Sequence, residues 1–107
     1  MPLLRTKKEI FEWLKQGKKT IDVRKGKPYR GEFAYFQSGQ QMLRLRIIKR
    51  ETGRLTDLVH GGNYWLVIPS AETLEDAVVY LQVLYGNCDG FFTAYYVKPA
   101  TDVRNHL

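Results

Sequence analysis

Two stretches of helical periodicity bracket a run in which the apolar period drops to two, and that switch confines the chain to a mixed fold. Thr6 with Glu9 reads as a capping box, followed by a stripe of Ile10, Phe11, Trp13 and Leu14. Gly17 sits where a C′ glycine belongs, so the first helix is predicted over residues 7–16. Thr73 with Asp76 caps a second helix whose face is Leu74, Ala77, Val78 and Leu81 and which ends at Gly86. Between the helices, Thr20–Arg24, Glu32–Phe36 and Met42–Arg50 alternate as strands, parted by Lys25-Gly26-Lys27-Pro28 and Ser38-Gly39. On the third strand Leu43, Leu45 and Ile47 share one side, Arg44, Arg46 and Ile48 the other. A late aromatic strand is predicted over Phe91–Val97, before Pro99. Residues 55–69 admit two readings: Tyr64-Trp65-Leu66-Val67-Ile68 has strand composition, while Thr56-Asp57-Leu58-Val59 fits a helical turn. The tail from Thr101 to Leu107 reads as frayed. The expected class is α+β, a largely antiparallel sheet or small barrel.

The chain of 107 residues has material for one domain with one core. Its content of 44% hydrophobic and 13% aromatic residues is enough to fold without disulfides or metals. Cys88 is the one cysteine, which rules out an internal disulfide. With only His60 and His106 beside it, neither a zinc site nor a cofactor is expected. No apolar run approaches the roughly 20 residues of a spanning helix, and the start has no signal-peptide apolar region. A cytoplasmic protein without a membrane partner is the expectation. Its charge is unevenly placed. Residues 1–54 carry 15 Lys/Arg against 5 Asp/Glu, a net of +10, whereas 55–107 carry 2 against 6, a net of −4. A basic half of this kind suits a polyanion such as nucleic acid; a solvated basic surface is the plainer alternative.

The run Gly17-Lys18-Lys19-Thr20-Ile21-Asp22-Val23-Arg24 joins the first helix to the first strand. Strand alternation puts Thr20, Asp22 and Arg24 on one face and the natural core pair, Ile21 and Val23, on the other. Asp22 and Arg24 therefore face solvent, a cleft or a buried polar network. Lys19 lies at the junction, where a chain reversal swings it to either side. Lys25-Gly26-Lys27-Pro28-Tyr29-Arg30 follows as a basic turn with one ring, suited to phosphate contacts and stacking. Arg44 and Arg46 fit a solvated outer face or a phosphate track adjoining that turn. Tyr35, Tyr95 and Tyr96 suit cross-strand packing better than base stacking. His60 before Gly61-Gly62 has no catalytic partner in view, and Cys88 reads as an incidental loop thiol. The glycine pair lacks the strand-to-helix setting of a phosphate loop.

The eight-residue run resembles the Gly-x-Lys-x-x-Glu-x-Arg signature of ASCH domains, which share the PUA-like barrel. The likeness extends over roughly residues 7–99 and is closest to small archaeal-type members. Gly31-Glu32 through Phe36, Val67-Ile68-Pro69, the helix from Ala77 to Tyr85 and the strand Phe91–Pro99 echo the family layout. The resemblance implies a PUA-like small barrel of five or six strands with two main helices. It also implies an RNA-binding or RNA-processing domain, with RNA or a nucleoside-like small molecule as partner. The cleft would be lined by Lys19, Asp22 and Arg24 and flanked by Lys25, Lys27, Tyr29 and Arg30. Asp22 stands where the family has glutamate, one methylene longer.

Some small bacterial relatives are amidohydrolases of N4-acetylcytidine that use the motif lysine, a nearby threonine and a later glutamate. That likeness implies Lys19 as base and Asp22 in the place of the threonine. The segment before the second helix offers Ser70 and Glu72 without aligning either to the glutamate. A basic lysine needs its pKa lowered by burial or by a cation, for which Lys18 and Arg24 are the neighbours. A ribonuclease is less well supported, because no paired histidines are visible. A module that docks its basic face on an acidic protein is the third class.

Overall fold

The structure, a computed structural model, describes residues 3–100, so the tail from Thr101 lies outside the described residues. Lys8–Lys15 forms α1, with Ile10, Phe11 and Leu14 buried. Its N-cap is Lys7, which has no side-chain cap, so the Thr6 capping box does not form. The Thr6 hydroxyl has better partners: it donates to the Leu4 carbonyl at 2.8 Å and accepts from Arg24 Nη2 at 3.2 Å. Gly17 closes the helix at φ +78°, a conformation that penalises any residue with a Cβ. The Lys18 and Lys19 amides both turn back onto the Trp13 carbonyl, at 3.0 and 3.1 Å. That reversal delivers Lys19 to the start of β2, Ile21–Lys25.

The other predicted strands fall close to their expected places, as β3 (Phe33–Ser38), β4 (Gln41–Gly53) and β5 (Phe92–Pro99). A three-residue strand, β1 (Leu3–Arg5), was not anticipated. The segment left open between residues 55 and 69 forms two single-turn helices, α2 (Leu55–Leu58) and α3 (Tyr64–Val67). Asn63 imposes the turn between them, since Nδ2 donates to the Leu58 carbonyl at 2.8 Å and Oδ1 accepts the His60 amide at 2.9 Å. The β-prone side chains of Val67 and Ile68 therefore cover the sheet instead of joining it. The last helix, α4 (Leu74–Tyr85), carries the expected cap: Thr73 Oγ1 accepts the Asp76 amide at 3.1 Å, worth about 1 kcal/mol.

Among the described residues the strands form one mixed sheet in the order β1-β3-β4-β5-β2. Only the β1–β3 pair is parallel. A register shift between Ile47 and Lys49 marks a bulge in the long β4, where a strand bends and its twist increases. The result is a curled half-barrel in an α+β fold, with β1 and β2 as its two edges. The apolar side chains fall into two clusters, one on each face of the sheet, rather than a single mass. On the concave face Ala34, Phe36, Leu45, Ile47, Tyr95 and Val97 meet Leu4 and the apolar stripe of α1. On the convex face Ile21, Val23, Phe92 and Ala94 meet α2, α3 and α4. No helix among the described residues is long and apolar enough to cross a membrane.

Candidate functional site

β2 is an edge strand with both faces covered, and this places its polar side chains. Ile21 and Val23 enter the convex cluster, as the alternation requires. Asp22 and Arg24 point the other way, opposite Tyr95 and Thr93 of β5. Asp22 and Lys19 are each only 3% exposed. Burying such charges costs several kcal/mol apiece unless partners replace the lost water.

The partners are present. Arg24 Nε donates to Asp22 Oδ2 at 2.6 Å, and Lys19 Nζ lies 4.0 Å from Asp22 Oδ1. Lys19 Nζ also donates to the Ile21 carbonyl at 2.8 Å and to the Val67 carbonyl at 2.5 Å. Lysine thus fastens the C-terminal end of α3 to β2 while it faces the carboxylate. Arg24 Nη1 donates to the Arg5 carbonyl at 2.8 Å, so the guanidinium spans the gap between the two sheet edges. It lies 5.9 Å from the centre of the Phe36 ring. Three of the five arginine N–H groups have these partners among the described residues.

Electrostatics follow the geometry. Burial lowers the Lys19 pKa to about 8, partly opposed by the Asp22 charge and reinforced by Arg24. Burial also weighs against a charged Arg24, but the charge and hydrogen bond of Asp22 outweigh it and hold the guanidinium protonated. The Tyr85 hydroxyl donates to the Val23 carbonyl at 2.5 Å; burial first, and the Asp22 charge second, raise its pKa far above the usual phenol.

These groups surround a cavity of about 140 Å³ in the gap between β1 and β2. Lys19, Asp22 and Arg24 line it together with Arg5, Thr6 and Tyr85, over apolar walls from Ile10, Leu81 and Leu84. The turn after β2 stands outside. Lys25, Lys27 and Arg30 are exposed, and none of them lines the cavity. Tyr29 is 48% exposed and stacks on Tyr95, the cross-strand neighbour of Asp22, with ring centres 6.2 Å apart. Its amide donates to Tyr95 Oη at 2.8 Å, and Arg50 Nε holds its carbonyl at 2.8 Å. The turn is thereby anchored beside the motif strand. Ser70 and Glu72 do not line the cavity either, and the Glu72 amide is bound to Asp76 Oδ2 at 3.2 Å. Among the described residues no group of His, Cys, Asp and Glu converges as metal ligands.

Arg5, Thr6 and Tyr85 escaped sequence reasoning as site residues. Tyr85 was legible, because it continues the α4 stripe four residues after Leu81. Arg5 and Thr6 had no signal, since a three-residue parallel strand shows no periodicity.

The fold has relatives of known structure. The chain is similar to the crystal structure of hypothetical protein PH0355. The TM-score is 0.74 at 15% identity, covering 91% of this chain and 96% of that one. It is also similar to the solution NMR structure of protein PF0455 from Pyrococcus furiosus, with a TM-score of 0.66 at 16% identity. That match covers 94% of this chain and 97% of the other. At such identities the likeness speaks for the fold alone. No protein-family model matches the chain, and no curated protein does.

Proposed function

We propose that this is an ASCH-type, PUA-like domain that binds RNA, taking one unpaired base into the cavity between the sheet edges. The observation that carries this reading is the convergence of three ionisable side chains of one motif, Lys19 and Asp22 buried and Arg24 half-buried, on a single cavity wall. Apolar residues would fill that wall at lower cost, so stability does not account for the cluster. The cavity of about 140 Å³ is small beside the roughly 300–1,000 Å³ of drug-sized pockets, which suits a planar base or a short acyl group. Arg24 offers N–H groups to a base edge or phosphate, Asp22 fixes the guanidinium, and Lys19 holds the motif strand against α3. Lys25, Lys27 and Arg30 meet the backbone phosphates outside, and the exposed Tyr29 ring stacks on a neighbouring base. A cytoplasmic location follows from an RNA partner.

Salt tests the reading. Arg24, Lys25, Lys27 and Arg30, each neutralising one phosphate, should contribute about −3 to the log–log salt slope for a single strand, about −0.7 per contact. Affinity measured by fluorescence anisotropy should then fall at least about fifty-fold between 50 and 200 mM salt. Affinity flat across that range would overturn it.

One observation favours a second reading, hydrolysis of N4-acetylcytidine or a related acylated nucleoside. With its pKa near 8, the Lys19 amine is neutral in about a tenth of molecules at pH 7. A neutral amine keeps both carbonyl hydrogen bonds and leaves its lone pair for a substrate proton. Cytidine release from N4-acetylcytidine by the wild type, lost in a folded Lys19→Ala variant, would establish the enzyme. No release from either leaves the binder.

A further inference from the structure

The convex face of the sheet is divided. Helices α2, α3 and α4 cover Ile21, Val23, Phe92 and Ala94, and α2 also meets β4; farther across the β1–β3–β4 half, among the described residues, Phe33 and Tyr35 are half-buried and Arg44 is exposed. Strand register arranges that exposed half in rows. Leu3 pairs with Tyr35, and Tyr35 with Arg44. In the next row Phe33 pairs with Arg46, and Arg46 with Lys98. The rows lie two residues apart, about 7 Å along the strands. The Arg44 guanidinium sits 4.6 Å from the centre of the Phe33 ring, and that of Arg46 sits 5.2 Å away. Leu3 and Met42, on the same face, are 53% and 54% exposed. Two carboxylates of the described residues lie on this face, Glu32 paired with Arg46 and Glu51 paired with Lys49 and Tyr96. Arg44 and Lys98 are exposed.

We propose that this face is a second RNA contact, a track on which a single strand lays its phosphates along Arg44 and Lys98 and stacks bases on Tyr35 and the guanidinium-capped Phe33. The inference rests on the RNA-binding reading above and extends it to a surface on the other side of β3. The two surfaces are continuous around the β1 edge. Arg5 is exposed on this face, and its carbonyl holds the cavity guanidinium. Cations alone would suit an acidic protein or any polyanion. Aromatic rings interleaved with guanidinium planes favour bases, because every base presents a π-face.

The test compares the wild type with Arg44→Ala/Lys98→Ala and with Arg24→Gln, using fluorescein-labelled oligouridine and, as a polyanion without bases, labelled dextran sulfate. Folding of each variant is confirmed by circular dichroism. The double variant should lose about 1.4 from the salt slope and about twenty-five-fold in affinity at 0.1 M salt. Tyr35→Ala should weaken oligouridine binding five- to a hundred-fold and leave dextran sulfate unchanged. Wild-type affinity and slope in Arg44→Ala/Lys98→Ala, with loss in Arg24→Gln, would overturn the track and leave the cavity reading intact. Equal affinity for RNA and dextran sulfate, or equal loss of both in Tyr35→Ala, would also overturn it. No RNA binding by the wild type would overturn both.

Discussion

Replacing Asp22 with asparagine is expected to destabilise the fold by about 3–5 kcal/mol, although the two side chains have nearly the same shape. The carboxylate is 2.6 Å from Arg24 Nε and 4.0 Å from Lys19 Nζ, and it is the anion those two cations share. The amide keeps one acceptor for arginine and loses the charge. The buried Lys19 and the half-buried Arg24 then face each other across the wall of the cavity, with the Ile21, Val67 and Arg5 carbonyls and the Thr6 hydroxyl as their remaining acceptors. For a domain of this size each kcal/mol lowers the melting temperature by roughly 4–8 °C, so calorimetry should show a fall of more than about 12 °C. Asp22→Glu is the informative control. It preserves the charge, and its extra methylene reaches toward Lys19, so its loss should stay below about 2 kcal/mol. If asparagine cost less than about 1 kcal/mol, the cluster would be solvated rather than buried, and the cavity would lose its claim to be a preorganised site.

The local grammar of the chain announced most of the fold and the wrong parts of its closure. Alternation placed Ile21 and Val23 opposite Asp22 and Arg24 because a strand leaves no other choice. The Thr73 cap and the Gly17 reversal were legible because each needs a particular residue at a fixed offset. β1 was invisible, since three residues in a parallel pair carry no pattern of their own. Its absence hid the second edge, and with it the gap in which Arg24 reaches Arg5. The same ignorance misassigned Thr6, whose local capping signal yields to a tertiary contact with arginine. Tyr64–Ile68 had the composition of a strand, but Asn63 fixes a turn whose product is the Val67 carbonyl that receives Lys19. Sequence singled out the three motif residues, which partner one another; the Val67 and Arg5 carbonyls and the Thr6 hydroxyl that complete their contacts come from segments remote in the chain.

Stability should rise between about pH 8 and pH 10 and fall above it, with Lys19 responsible for the rise. The lysine pKa is about 8 in the folded protein and 10.5 in the unfolded chain. Between those values the unfolded chain holds the proton and the folded protein does not, so raising the pH favours the fold. The contribution approaches about 3 kcal/mol once both limits are passed. The opposing slope comes from the tyrosines. Tyr80, Tyr85, Tyr95 and Tyr96 all have raised pKa values through burial, so above pH 10 the unfolded chain loses phenolic protons that the folded protein retains. Urea unfolding from pH 7 to 10.5 should show the maximum, and Lys19→Met should abolish the rise while the fall remains. The same titration reaches the site. Loss of the ammonium above pH 8 removes one positive charge from the cavity wall, so RNA affinity should weaken over the range in which the fold strengthens. A stability curve flat from pH 8 to 10 would mean that Lys19 stays charged throughout, and the amidohydrolase reading, which needs a neutral amine near pH 7, would fall with it.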